Sequence, residues 1–483
     1  MTDTHETHWA KKFEAAKLAN PGHSGFVPLG NGTSAFVARA ALAKNAERSI
    51  DAQYYLWHDD LVGRLLLNVL LDAAERGVRV RLLLDDIDLR GRDHDWVLLS
   101  AHANVEVRVF NPFSRRINRA TQYISRFGKV TRRMHNKSFI VDNQVAVVGG
   151  RNIGNEYFEA DPQITFGDLD AMTIGPVVAD VSDSFDAYWN NELAYPVSSL
   201  ARRLPDAGEI ARHREFLQEF ADQNRDCAYA RALVASQFAA ELKGNALRFF
   251  WGDARLVVDL PEKLSARRDR KDLQLISQIG PQFADAQDEI IVISPYFIPG
   301  RTGTDGMIKL VDRGVRVRVL TNSLASNNHA IVHAKYAKYR RPLLAGGVEI
   351  HEARNREPDE LRKQDKAPFG TTKSTVLHAK SFVIDRKYVF IGSLNFDPRS
   401  FTENTEIGIV FDSKAFAGIM ARWFDEEIDS AAYALALESN TNGRDRLVWN
   451  DGGSAVLRTE PDTSWCTRTL THMMRWLPGE SQL

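Results

Sequence analysis

Apolar positions along the chain fall into strand-like and helix-like stretches that recur in the same order in its two halves. Ser49 to Tyr55 and Glu289 to Tyr296 read as strands, and so do Val105 to Phe110 and Gly347 to His351. Helical spacing lies between them: Leu65, Leu66, Val69, Leu70 and Ala73 in the first half, Met307, Leu310 and Val311 in the second. Each helical pattern stops at a glycine suited to a helix C-terminus and enters a strand. The string Arg-Gly-Val-Arg-Val-Arg marks both junctions, at Arg76 to Arg81 and again at Arg313 to Arg318. Strands alternating with helices, twice over, predict an α/β chain of two repeated lobes, each a mostly parallel or mixed sheet with helices on both faces.

The same repeat carries the candidate chemistry. His135-Asn136-Lys137 followed by Asp142 and His378-Ala379-Lys380 followed by Asp385 have identical spacing, and each precedes a glycine-containing turn ending in Asn152 or Asn395. In a strand, residues i and i+2 share a face, so His135 projects beside Lys137 and His378 beside Lys380. A lone His-x-Lys reads better as an ordinary strand with a polar face. His333-Ala334-Lys335 reads as such a structural case, the alternative being a substrate-facing one: Arg340 stands where the carboxylate should be, and Tyr336, Tyr339 and Leu343 are spaced as on a helix. The two full copies differ because their whole surroundings repeat. Two lobes packed about a pseudo-twofold axis would bring both His-Lys pairs to the seam, a frequent place for a ligand site. Asp142 and Asp385 belong to the candidate catalytic set, with capping of the turn and organisation of the lysine as their expected role. The first turn has Gly150 where the second has Ser393, so only the second offers a hydroxyl.

With these motifs the chain resembles the phospholipase D superfamily, and within it bacterial cardiolipin synthases of the C type, which lack transmembrane helices. The resemblance covers nearly the full length and rests on Gln53 to Trp57, Arg132 to Phe139, Gly149 to Gly154, Thr321 to Ala325 and Gly392 to Ser400. It implies two phospholipase D-like α/β/α lobes with one active site at their interface. Expected boundaries are 1–200 for the first lobe, 201–244 for a helical connector, 245–430 for the second lobe and 431–483 for a C-terminal extension. It also implies that His135 is the nucleophile and His378 the acid/base, although near symmetry leaves the order open in the residues themselves. Lys137, Lys380, Asn152, Asn395 and Ser393 would bind the phosphate oxygens. Histidine-orienting carboxylates are placed after each Asn turn, at Glu406 and at Asp168, with Asp170 as the alternative to Asp168. No metal and no cofactor are called for, because imidazole is itself nucleophilic near neutral pH.

Charge limits the partners. The formal net charge of the 483-residue chain is −1, so no global field favours nucleic acid. Between Phe113 and His135, however, Arg115, Arg116, Arg119, Arg126, Lys129, Arg132 and Arg133 occur with no acidic residue, interleaved with Ile117, Tyr123, Ile124 and Phe127. That mixture suits an anionic phospholipid surface, the alternative being a solvated loop with core anchors. A C-terminal cluster of Trp465, Leu470, Met473, Met474, Trp476 and Leu477 with Arg468 and Arg475 reads either as an interfacial helix or as one packed on the body of the protein. No segment approaches the about 20 unbroken apolar residues needed to cross a bilayer. Met1 to Lys12 is polar and unlike a secretory signal, and Cys227 and Cys466 offer no disulfide framework. The expected place is peripheral, on the cytoplasmic side of the inner membrane.

The expectation is a phosphatidyltransferase that passes a phosphatidyl group through phosphohistidine to the glycerol headgroup of phosphatidylglycerol, making cardiolipin. Phosphatidylglycerol and phosphatidylethanolamine are the substrates implied by the resemblance. Hydrolysis to phosphatidic acid by a phospholipase D is the alternative, and a phospholipase D-type nuclease a more distant one.

Overall fold

Both helices that lead into the repeated Arg-Gly-Val-Arg-Val-Arg string end at its glycine. In this computed structural model, which describes residues 3–161, 163–355, 374–439, 445–453 and 455–476, Gly77 has φ 93° and Gly314 φ 91°. Glycine adopts this left-handed conformation without a Cβ clash. The amide after each glycine donates back to the last turn, Val78 to Ala73 at 3.1 Å and Val315 to Leu310 at 3.0 Å. Helices Leu61–Glu75 and Gly300–Asp312 thereby hand the chain to strands Arg79–Asp85 and Arg316–Asn322.

Among the described residues the first sheet has nine strands. Their spatial order is Phe250–Gly252, Ser24–Leu29, Asp170–Ile174, Val145–Gly149, Ser138–Val141, Ser49–Tyr54, Arg79–Asp85, Val105–Phe110 and Ala194–Pro196. The second has ten, beginning Ala254–Val258, Ile407–Asp412, Tyr388–Gly392, Ser381–Ile384, Glu289–Ile293, Arg316–Asn322 and Glu349–Ala353, and continuing with Ala432–Ser439, Asp445–Asn450 and Val456–Leu457. Each sheet is mixed: three parallel strands at its centre adjoin antiparallel neighbours. Phe250–Gly252 pairs with Ser24–Phe26, so the first sheet takes a strand from beyond residue 245.

Both faces of each sheet are buried. One apolar cluster covers the outer face of the first sheet, another that of the second, and a third is built from both lobes together. In this central cluster Phe26 stacks on Phe411 with centroids 3.9 Å apart, and Phe185 and Phe416 enter from helices Val177–Trp189 and Lys414–Glu426. Each such side chain buried is worth roughly 1.5–3 kcal/mol, so a lobe alone would expose a costly apolar face.

Two further junctions cross the seam. Ser374–Leu377 pairs in parallel with Ile164–Gly167, and Met134 forms a parallel bridge with Thr405. Both lie next to the motif histidines. The stretch 201–244 contains helices Ala207–Gln223, Ala228–Ala235 and Gln237–Lys243, the first pinned to helix Leu61–Glu75 by Arg214 on Asp72 and Glu75. His333 lies on helix Ala330–Tyr336, against which the C-terminal helix Trp465–Met474 packs; Leu477 of the C-terminal cluster lies outside the described residues.

The basic stretch before His135 behaves differently from the expectation that its cations face headgroups. Arg115 pairs with Asp86 and Asp93, Arg119 with Asp86, Arg132 with Glu403 and Arg133 with Asp85. Acidic residues distant in sequence neutralise these arginines, which composition within the stretch did not reveal. Its apolar members do reach the surface: Ile124 is 84% and Phe127 59% exposed, with Ile117 and Tyr123 beside them.

Candidate active site

Main-chain pairing across the seam sets the geometry. The amide of His135 donates to the carbonyl of Thr405 at 2.9 Å, and that of His378 to Gly167 at 2.7 Å. The residue following each acceptor is a carboxylate, Glu406 in one case and Asp168 in the other. Each histidine is thus held in register with a carboxylate of the opposite lobe. His135 Nδ1 lies 2.8 Å from Glu406 Oε2, and His378 Nδ1 lies 2.5 Å from Asp168 Oδ2. A carboxylate only accepts, so the neutral ring donates from Nδ1 and keeps the Nε2 lone pair.

Both rings open into one cavity of about 340 Å³, walled also by Asn152, Asn395, Tyr55, Tyr157, Tyr296 and Arg399. The two lysines lie beneath the histidines. Lys137 Nζ donates to the His135 carbonyl at 2.6 Å, while Lys380 Nζ stands 2.9 and 3.0 Å from the two ring nitrogens of His378.

Burial dominates the electrostatics. His135 is held well below its usual range by desolvation and then by the cations of Lys137 and Lys380. His378 is lowered to about 4 by desolvation and Lys380. Desolvation also carries Lys137 well below the usual lysine range and Lys380 to about 8. The two carboxylates diverge. Burial pushes Glu406 up to about 7 against the pull of Lys137 and Ser393. Burial acts on Asp168 as well, but His378, Lys380 and Arg151 outweigh it and leave its affinity for a proton below the usual value.

The two turns treat their carboxylates differently. Ser393 Oγ donates to Glu406 at 2.5 Å and accepts from the Ile407 amide at 3.0 Å. At Gly150 an added Cβ would meet Asp168 Oδ1 at 2.3 Å, so the glycine leaves room for the shorter acid to reach its histidine. Ser393 therefore braces a carboxylate, whereas the sequence suggested a phosphate contact. Asp170, the alternative orienting acid, is spent on Arg39 at 2.8 Å and Arg151 at 3.4 Å.

A motif that repeats with its surroundings and builds one cavity from two lobes decides the lineage. The family described as cardiolipin synthase, PLD-like domain, matches the chain twice, over residues 40–189 and 279–428. The chain belongs to the phospholipase D superfamily. It is 41% identical to cardiolipin synthase C of Escherichia coli strain K12 over 95% of this chain and 96% of that protein. It is 26% identical to cardiolipin synthase A of Pseudomonas putida strain GB-1 over 86% of this chain and 70% of the other. The crystal structure of phosphatidylserine synthase from Haemophilus influenzae Rd KW20 shares the fold, with TM-score 0.56 at 14% identity, covering 88% of this chain and 92% of that one.

Within this phospholipase D site, Asp142 and Asp385 stand apart from the cavity. Asp142 accepts from the amides of Glu47, Arg48 and Ser49, and Asp385 from those of Gln287, Asp288 and Glu289. Strands Ser138–Val141 and Ser381–Ile384 separate them from the histidines, roughly 13 Å at 3.3 Å per residue. Their grouping with the catalytic set is corrected: they fix the far end of the motif strand. Asn152 is also partly committed, its Oδ1 accepting from the Leu56 amide at 3.2 Å and its Nδ2 donating to Tyr157 at 2.9 Å. Asn395 Oδ1 has no partner among the described residues.

Several residues around the two rings and their cavity escaped the sequence reading. Tyr55 contacts the His135 ring edge-on at 4.8 Å, and Phe166 stacks on His378 at 5.3 Å. Tyr296 and Leu56 sit one residue before Phe297 and Trp57, which form equivalent bridges to Phe396 and Ile153 in the two lobes, so the repeat itself signals both. Nothing in the pattern marks Tyr157 or His329. His58, Asp60 and Glu156 approach one another closely enough to ligate a cation, but His58 pairs with Glu156 at 3.2 Å and Asp60 accepts from the Gly63 and Asn155 amides.

Proposed function

We propose that the protein is a cardiolipin-forming phosphatidyltransferase working at a phospholipid surface. One observation carries the reading: two imidazoles, each with a carboxylate of the opposite lobe at Nδ1, line a single cavity. His135 is the nucleophile. Burial and the charges of Lys137 and Lys380 keep its ring neutral, as attack requires, and Glu406 accepts from its Nδ1. His378 is the acid/base, because the ionised Asp168 stabilises the imidazolium that this role requires.

The His135 Nε2 lone pair forms a bond to phosphorus while the bond to the departing headgroup oxygen breaks, and His378 gives that oxygen its proton. His378 is kept deprotonated at rest by burial and then by Lys380, and the negative charge of a bound phosphodiester raises its hold on a proton. Neutral His378 then takes the proton of an incoming glycerol hydroxyl, whose oxygen attacks phosphorus as the bond to His135 breaks. Lys137, Lys380 and Asn395 stabilise charge on the non-bridging oxygens.

The cavity holds a headgroup and leaves the acyl chains outside, which favours a lipid still seated in its bilayer. Exposed Ile117, Tyr123, Ile124 and Phe127 lie on the segment running into the His135 strand and suit the interfacial region. Among the described residues no helix is long and apolar enough to cross a membrane. Phosphatidylglycerol is the acceptor, with phosphatidylglycerol or phosphatidylethanolamine as donor. Lipid mass spectrometry after incubation with mixed liposomes tests this: wild type yields cardiolipin, and His135→Ala and His378→Ala yield none. Phosphatidic acid as the sole product would replace transfer by hydrolysis.

A further inference from the structure

A second pocket, of about 410 Å³, lies between helix Ala330–Tyr336 and the C-terminal helix Trp465–Met474. It is separate from the catalytic cavity, yet the same helix walls both. Ile331 and Val332 face the catalytic cavity, and His333, Ala334 and nearby Ala337 face the second pocket. No step of phosphatidyl transfer uses it.

Its lining is electrostatically unbalanced. Three arginines, Arg340, Arg468 and Arg475, line it with, among the described residues, a single carboxylate, Glu460. Glu460 is already engaged by Arg340 at 2.7 Å and His333 Nε2 at 3.4 Å, and Arg340 turns its other arm to Glu352 at 3.1 Å. Arg468 donates to the Thr463 carbonyl at 2.9 Å, and Arg475 has no carboxylate within ion-pair distance among the described residues. Burial together with the charges of Arg340 and Arg341 weakens the hold of Arg475 on its proton, as expected of a cation crowded by cations. Four buried polar atoms of the lining also have no hydrogen-bond partner among the described residues. Oγ1 of Thr471, on a residue 6% exposed, and Nε of Arg340 can donate, whereas Oε2 of Glu460 and Nδ1 of His333, whose Nε2 faces Glu460, accept. An anion with several acceptor oxygens relieves the crowded cations and takes a hydrogen bond from the Thr471 hydroxyl.

We propose that this pocket binds a phosphate group, and that its source is the headgroup of an anionic phospholipid which is not the one being transformed. The choice of lipid rests on the phospholipid reading above and on the helix beside the pocket. Trp465, Leu470, Met473 and Trp476 are all more than half exposed there, an apolar surface costly in water and suited to the bilayer interface. Phosphate held by Arg475 with acyl chains against this helix would anchor the second lobe on the membrane.

The test uses the full chain carrying His135→Ala, which prevents turnover. It is titrated with monomeric dihexanoyl phosphatidylglycerol, and separately with inorganic phosphate, by calorimetry and by the fluorescence of Trp465, identified by comparison with Trp465→Phe. Two lipid sites per chain are expected, with a Trp465 response at one of them. Arg475→Glu removes that site and the response, and Thr471→Val, a small change that keeps the fold, weakens it at least fivefold. A Trp465 response to inorganic phosphate as strong as to lipid makes free phosphate the source and overturns the lipid assignment. One site in every variant, or two sites unaffected by Arg475→Glu and Thr471→Val, overturns the pocket itself. Failure of the transferase reading would show differently, as wild type that makes no cardiolipin while this pocket still titrates.

Discussion

Glu406 reaches His135 across the seam, Oε2 to Nδ1 at 2.8 Å, although 271 positions separate them in the chain. The mirror pair, Asp168 and His378, spans 210 positions at 2.5 Å. Each lobe thus carries the carboxylate that orients the other lobe's histidine. The backbone bonds from His135 to Thr405 and from His378 to Gly167 fix both contacts at once, so the active site and the lobe interface are one structure.

Removing the acceptor charge at this contact should therefore act on the chemical step. Glu406→Gln lets the His135 ring turn or change tautomer, and kcat for short-chain phosphatidylglycerol is expected to fall by about two to four orders of magnitude with little change in KM. Steady-state kinetics beside a thermal melt distinguish this from unfolding. A kcat within a few-fold of wild type would remove Glu406 from the mechanism.

Much of this was legible in the sequence. Two copies of one motif inside two copies of one domain led to a bilobal α/β fold, and the family match at residues 40–189 and 279–428 agrees. The crossing of the carboxylates was not legible, because spacing along a chain does not say which lobe's acid meets which histidine. Arg115, Arg119, Arg132 and Arg133 were misread for a related reason: their partners Asp86, Glu403 and Asp85 lie on other elements, and only the fold brings them together. Asp142 and Asp385 belong to the motif by spacing, but strand length carries them away from the cavity.

Gly150 tests how closely Asp168 must approach. A Cβ there would sit 2.3 Å from Asp168 Oδ1, too close for either group to stay in place. Gly150→Ala should cost about 100-fold in kcat by displacing the acid from His378. Ser393→Ala removes one hydrogen bond to Glu406 and should cost nearer tenfold. Equal rates for Gly150→Ala and wild type would show that Asp168 does not orient His378.

Asp142→Ala and Asp385→Ala should destabilise the fold to different degrees. Each carboxylate receives three backbone amides, but Asp142 is fully buried whereas Asp385 is half-buried. Amides stripped of a charged acceptor cost most where water cannot replace it. Urea denaturation is expected to show a loss of about 3 kcal/mol or more for Asp142→Ala and a smaller one for Asp385→Ala. The reverse order would contradict the burial argument.

Lys380 should weaken the fold it serves. Burial lowers its affinity for a proton to about 8 from the ordinary 10.5, even with Asp168 and Glu406 pulling the other way. At pH 7 the lysine is charged in both folded and unfolded chains, so the folded state bears the whole cost of a desolvated ammonium, on the order of 3 kcal/mol. Between pH 8 and 10.5 the unfolded chain holds the proton more tightly than the folded one, so stability contributed at this position rises with pH and the cost vanishes above 10.5. Lys380→Met is therefore expected to be inactive yet to melt at a higher temperature than wild type at pH 7, with the gain shrinking as pH climbs through that window. Thermal melts of both proteins from pH 7 to 10 provide the check. A variant that melts lower than wild type at pH 7 would mean that the attraction of Asp168 and Glu406 outweighs desolvation, and that the lysine is held in place by stability as well as by function.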